Sequence, residues 1–138
     1  MRYLLDTNTC IDVMRNHSQV TRRMSNVLPD DLAISSITSY ELFTGVEKCS
    51  DPGRERAKVQ LPLATVHEMS FDDTAAAHAA VVRATLERQG LPIGPYDVLL
   101  AGHARSSGLI LVTANTREFS RVVGLQVENW QTPHNPAT

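Results

Sequence analysis

The chain has little with which to staple itself, cross a membrane or bind a soft metal. Cys10 and Cys49 stand alone without C-x-x-C spacing, which excludes a zinc ribbon or dithiol motif and leaves two reduced, packed thiols. His17, His67, His78, His103 and His134 never fall four residues apart or beside a cysteine, so no zinc site is expected. No apolar run approaches the ~20 residues that span a bilayer, and the N-terminus lacks a basic, apolar and small-residue signal, so the expected compartment is the cytoplasm. Charge of one sign is also missing: 13 basic against 15 acidic residues give a net −2, too little to hold nucleic acid by long-range attraction alone. The densest basic stretch, Arg54, Arg56 and Lys58, and the earlier Arg15, Arg22 and Arg23 read as solvated helix faces or as a phosphate-contacting rim. With aromatics at 5%, nothing reads out as a base code for single strands.

What is present suits one globular domain. The 138 residues are 42% apolar and 20% charged, enough to bury roughly two-thirds of the unfolded chain's surface without a disulfide. The pattern predicts a strand at "RYLL" and a helix from Thr7, then a strand at "LAISSI" (32–37) and a helix over 38–48. A helix carrying "RERAKVQ" and a strand near "ATVHEM" follow. The longest helix falls within 71–89, closed by Gly90 and Pro92, and another runs from Pro95 to Gly108. The strand "LILVT" (109–113) and an edge strand in "LQVENW" (125–130) complete the series. Strands alternating with helices predict an α/β fold, a mostly parallel sheet with helices on both faces and its ligand crevice beyond the carboxyl ends of the strands. The domain is expected over 1–132, with a loose tail over 133–138.

That crevice is where four polar residues fall. Asp6 follows the first strand, Glu41 lies in the first turn of the helix after the second, Asp97 opens another helix, and Asn115 follows "LILVT". Each has an ordinary explanation: Asp6 and Asn115 as N-caps, Asp97 as a helix-dipole partner, Thr38 with Glu41 as a capping box. Parallel neighbouring strands would nevertheless gather all four at one end of the sheet, where three carboxylates either raise a pKa or recruit a cation. An all-oxygen set favours Mg²⁺, with Mn²⁺ as substitute, over zinc. Such an ion supports phosphodiester hydrolysis and reverses the local field of an acidic protein.

"LLDTN", "SSITSYELFTGVEK", "GPYDVLLAGHA" and "LVTANTREF", in that order, cover nearly the whole chain. They resemble the PIN-domain ribonucleases, specifically the VapC toxins of bacterial toxin–antitoxin pairs. The resemblance implies a PIN-like three-layer α/β/α sandwich and a metal-dependent endoribonuclease that halts translation until neutralised. Its first three acids fall on Asp6, Glu41 and Asp97; its fourth falls on Asn115, which brings no charge and makes a second tightly bound ion doubtful. It also implies a VapB-like antitoxin, a homodimer and a structured RNA substrate, tRNA above all. "DTNTC" and "GPYD" resemble members that favour the anticodon stem-loop of initiator tRNA.

Thr7 and Thr113 are candidates to hold the acids through hydroxyl hydrogen bonds, with ordinary packing as the alternative for Thr113. Glu118, one turn beyond Asn115, either assists the metal or solvates a helix. His103 points away from Asp97 along the helix and reads as a packed histidine. A phosphatase using Asp6 as nucleophile would need a second Asp two positions on, where Asn8 stands. A receiver or other non-catalytic adaptor or RNA-binding module would use the acids as caps or as a phosphorylation site, and the receiver's lysine after "LVTAN" is missing. No G-x-G-x-x-G follows the first strand, which disfavours a dinucleotide-binding dehydrogenase.

Overall fold

The computed structural model describes residues 1–60 and 62–133. Their sheet has five strands, β1 (Tyr3–Leu5), β2 (Leu32–Ser35), β3 (His67–Met69), β4 (Ile110–Val112) and β5 (Val127–Glu128), in the order β3-β2-β1-β4-β5. Every pairing is parallel, with Tyr3 in register with Leu32 on one side and Ile110 on the other. The tail expected over 133–138 lies, from residue 134 on, outside the described residues, as does His134.

Among the described residues seven α-helices connect the strands: α1 (Thr7–Met14), α2 (Ser18–Ser25), α3 (Ser36–Lys48), α4 (Pro52–Gln60), α5 (Asp73–Arg88), α6 (Pro95–Ser107) and α7 (Thr116–Phe119). Two cores separate along the two-residue period of the strands. Leu4, Ala33 and Leu111 face α5 and α6, where Ala79, Val82, Leu86 and Ala101 pack. Tyr3, Leu5, Leu32, Ile34 and Val112 face the opposite layer, with Cys10, Leu42, Val46 and Trp130. The result is three layers, helices on both faces of a parallel sheet. Both thiols are free, Cys10 buried and Cys49 half-buried.

Several expectations shift. The helix from Thr7 is two helices, because Asn16 adopts a left-handed turn (φ 56) that asparagine tolerates without advertising a break as glycine or proline does. The second strand ends at Ser35, two residues before the expected limit of 37, because the Ser35 hydroxyl accepts the Ile37 amide hydrogen bond at 3.1 Å and starts α3 there. The close join of α5 to α6 positions the latter's N-terminus: a methyl group on Gly102 would lie 2.4 Å from the Ala79 backbone nitrogen, so only glycine allows the two backbones to approach this closely.

Candidate active site

The carboxyl ends of β1 and β4 adjoin at the point where strand order reverses, the usual crevice of such sheets. Asp6, directly after β1, donates its backbone N–H to Val112 O of β4 (3.0 Å), while its Oδ1 accepts the Thr9 amide hydrogen bond at 2.8 Å to cap α1. The capping reading is thus correct and incomplete, because the residue is only 5% exposed. Burial raises its pKa, opposed by hydrogen bonds from Thr9 and Thr113.

Glu41 corrects the sequence reading. Because Ser35 caps α3, Thr38 lies inside the helix, the Thr38–Glu41 capping box does not form, and Glu41 belongs to the second turn rather than the first. Its Oε1 accepts the Thr7 hydroxyl at 2.6 Å, with the Thr38 hydroxyl 3.3 Å from that of Thr7. A residue freed from capping and tied to the one beside Asp6 belongs to the crevice.

Asp97 stands in the first turn of α6, whose cap Gly94 offers no side chain. Its carboxyl pKa is pushed up to about 6, first by burial and then by the charges of Asp6, Glu118 and Glu41. Four carboxylates from four elements therefore act within one field, and among the described residues none is ion-paired to a cation.

Asn115 heads α7 without capping it; its Nδ2 donates to Glu118 Oε2 at 2.7 Å, and its backbone N–H donates to the buried Thr113 hydroxyl at 3.0 Å. Glu118 thus returns, three residues later, a negative charge that Asn115 lacks. His103 lies elsewhere: it is 2% exposed, its Nδ1 is 2.9 Å from Ser35 Oγ, its ring stands against Phe71, and burial lowers its pKa.

The donor chemistry fits a hard divalent ion, since every group is oxygen and the negative charge is uncompensated. Among the described residues no three histidines, cysteines or carboxylates stand close enough to clasp one directly. An ion held here would therefore be one that retains several waters and takes only one or two carboxylates directly.

Sequence reasoning did not single out Thr9, whose place three residues after a helix-capping Asp is the available signal, nor Tyr40 and Tyr96. The tyrosines precede Glu41 and Asp97 respectively and meet across the crevice rim, ring centroids 5.9 Å apart. Behind Glu41 and Thr7 runs a groove of about 490 Å³ between α1, α3 and α4, lined by Ile11, Met14, Arg15 and Lys58 among others.

The sequence profile of the PIN domain matches residues 3–125. A Shigella flexneri protein named tRNA(fMet)-specific endonuclease VapC is 44% identical, over 94% of this chain and 98% of its own. A Haemophilus influenzae protein named Ribonuclease VapC2 is 39% identical over the same shares. Among solved structures, the chain resembles one in a DNA-bound VapBC complex from Salmonella typhimurium, with a TM-score of 0.88 and 42% identity, covering 94% of this chain and 98% of that one.

Proposed function

The chain belongs to the PIN-domain family and, within it, to the VapC ribonucleases, and from that membership and the geometry of the crevice we propose that it is a metal-dependent endoribonuclease toxin whose substrate is initiator tRNA, cut at the anticodon stem-loop. The observation that carries the reading is the gathering of Asp6, Glu41, Asp97 and Glu118 from four elements at the carboxyl end of the sheet, with none of them ion-paired to a cation among the described residues. Uncompensated repulsion of this kind is a cost to a folded protein that a cation removes.

Asp6, Glu41 and Asp97 would hold Mg²⁺ or Mn²⁺, in part through water, with Glu118 adding charge. When bound, the ion supplies Lewis acidity, favouring hydroxide over water near neutral pH and offsetting charge on the scissile phosphate. The protein's own groups set direction. The Thr9 amide fixes one oxygen of Asp6, the Thr7 hydroxyl orients Glu41, and Asn115 orients Glu118. Hydrolysis at this site leaves a 5′-phosphate and a 3′-hydroxyl.

The proposal includes a VapB-like antitoxin, which solved relatives carry in their complexes. The apolar groove that opens beside Glu41 suits a partner's helix, and an inserted Arg would pair with the carboxylates in the ion's place. It includes a homodimer as well, for which Val81 and Val123, both exposed around one shallow depression, supply apolar surface.

The test is incubation of the purified chain with total tRNA, with Mg²⁺ or with EDTA, beside Asp6→Ala and Asp97→Asn. Cleavage should require the ion and vanish in both variants while circular dichroism and melting stay native-like. Undiminished cleavage in EDTA, or a 2′,3′-cyclic phosphate product, would overturn the metal mechanism.

A further inference from the structure

Of the chain's seven aromatic residues, Tyr3, Phe119 and Trp130 are buried and Phe71 packs its ring against His103. The three with exposed rings, Tyr40 (54%), Phe43 (52%) and Tyr96 (42%), all sit on α3 or at the start of α6, the two helices that carry Glu41 and Asp97. A single exposed aromatic needs no explanation. Two that converge from helices 56 residues apart, each adjacent in sequence to a site carboxylate, do.

Consecutive residues on a helix project about 100° apart, so Tyr40 and Tyr96 flank the acids instead of entering among them. The rings are tilted by 47° at 5.9 Å and the hydroxyls are 3.5 Å apart. The pair is held in place without closing into a parallel stack of its own.

A ribonuclease of net charge −2 with an acidic crevice gains from affinity that does not rest on charge alone, the more so as Arg23, Arg56 and Lys58 are engaged with Glu128, Glu47 and Glu55. Stacking of a base on an aromatic ring needs no positive charge, is open to every base, and is available where RNA is single-stranded and its bases splay out.

We propose that Tyr40 and Tyr96 form a base-stacking platform at the rim of the acid crevice, taking an unstacked base of the substrate's single-stranded segment and thereby positioning the adjoining phosphate at the carboxylates. This rests on the ribonuclease reading for its substrate class and adds to it the groups that grip the RNA.

The test uses the full-length chain and an RNA stem-loop carrying 2-aminopurine at successive loop positions, with binding followed in EDTA so that no ion-dependent cleavage runs. Wild-type protein should change the fluorescence strongly at one or two adjacent positions. The double variant Tyr40→Leu/Tyr96→Leu should abolish that change and weaken binding about tenfold or more, whereas Tyr40→Phe/Tyr96→Phe should retain both. With Mg²⁺ present, the leucine variant should raise KM by a similar factor and leave kcat within about threefold. No position-specific fluorescence change with wild-type protein overturns the platform, and that measurement does not depend on how any variant folds. A leucine variant that binds and cuts RNA like wild type but sediments at a different mass overturns it too, and assigns the rings to a contact between copies. RNA cleavage with no stacking signal removes this inference alone; a stacking signal with no cleavage removes the nuclease reading alone.

Discussion

The two sides of the crevice are held by different forces. On the β1 side, Asp6 and Glu41 are fixed by hydrogen bonds from the Thr9 amide and the Thr7 hydroxyl. On the α6 side, Asp97 has no hydrogen bond to its carboxylate among the described residues, and its position follows from how α6 lies on α5. A hydrogen-bonded acid depends on its immediate partner and is shielded from its neighbours' charge by the donors it accepts from. An acid placed by packing depends on backbone geometry farther along the helix and has no donor to offset burial and the charge of its neighbours, so the carboxyl of Asp97 is pushed up to about 6, first by burial and then by Asp6, Glu118 and Glu41.

The largest test sets the two sides against each other in activity and stability together. Asp6→Asn and Asp97→Asn should each reduce single-turnover RNA cleavage about a thousandfold, a loss of ~4 kcal/mol. Thermal melts in EDTA at pH 7.5 should separate them. Asp97→Asn should melt higher than wild type because repulsion is relieved, while Asp6→Asn, which retains a good helix cap, should gain less. Equal melting shifts would remove the distinction between the two sides.

Next in size is Gly102→Ala. The added methyl would meet the α5 backbone at 2.4 Å, and helices must separate to admit it. Denaturant unfolding should show a loss of about 3 kcal/mol, less the ~1 kcal/mol that alanine returns as a better helix former. Because Gly102 lies five residues, about 7.5 Å of helix, beyond Asp97, cleavage at a temperature where the variant is fully folded should also fall. Unchanged stability would mean that α6 is placed by something other than this contact.

A smaller effect is electrostatic. The ordinary carboxyl pKa of 3.8 is raised to about 6 in Asp97, so the folded chain binds more protons than the unfolded chain between those limits. Stability without metal should therefore fall as pH rises from about 4 to about 6 and level off above. The gap corresponds to at most about 3 kcal/mol, which solvent screening reduces to ~1–2. Asp97→Asn should flatten most of the slope, leaving the part due to Asp6, whose pKa is also raised. Melting curves in EDTA across that range, and again with Mg²⁺, measure both the slope and its suppression.

The β1 side was the more legible in the sequence. "LLDTN" already places an acid at the end of a short apolar run, and period and punctuation located five strands and most helices. What escaped was set by tertiary context. Ser35 and Thr38 are both competent caps, and only the register of β2 against β1 and β3 decides that the chain turns at Ser35, which moves Glu41 into the second turn. The α1–α2 break rests on Asn16 in a left-handed turn, and a lone asparagine is a weaker stop signal than glycine or proline. The role of Glu118 depends on α7, four residues long, too short for any periodicity. The pairing of Tyr40 with Tyr96 joins positions 56 apart, which no local pattern reports.

Thr7→Val gives the smallest and most selective test, because it removes one hydroxyl from the hydrogen-bonded side and leaves shape nearly unchanged. Valine and threonine have similar helix propensities, so α1 should persist, and a lost bond to a half-buried carboxylate costs about 1 kcal/mol in stability. The effect on catalysis should be larger. Glu41 without its 2.6 Å partner regains rotamer freedom, and partners of this kind typically matter tenfold or more. Thr7→Ser, which keeps the donor, should restore cleavage to within about twofold. If valine cuts RNA as fast as threonine while the melting point falls, the hydroxyl serves only α1 and α3, and Glu41 is oriented by the ion or by the substrate instead of by the fold.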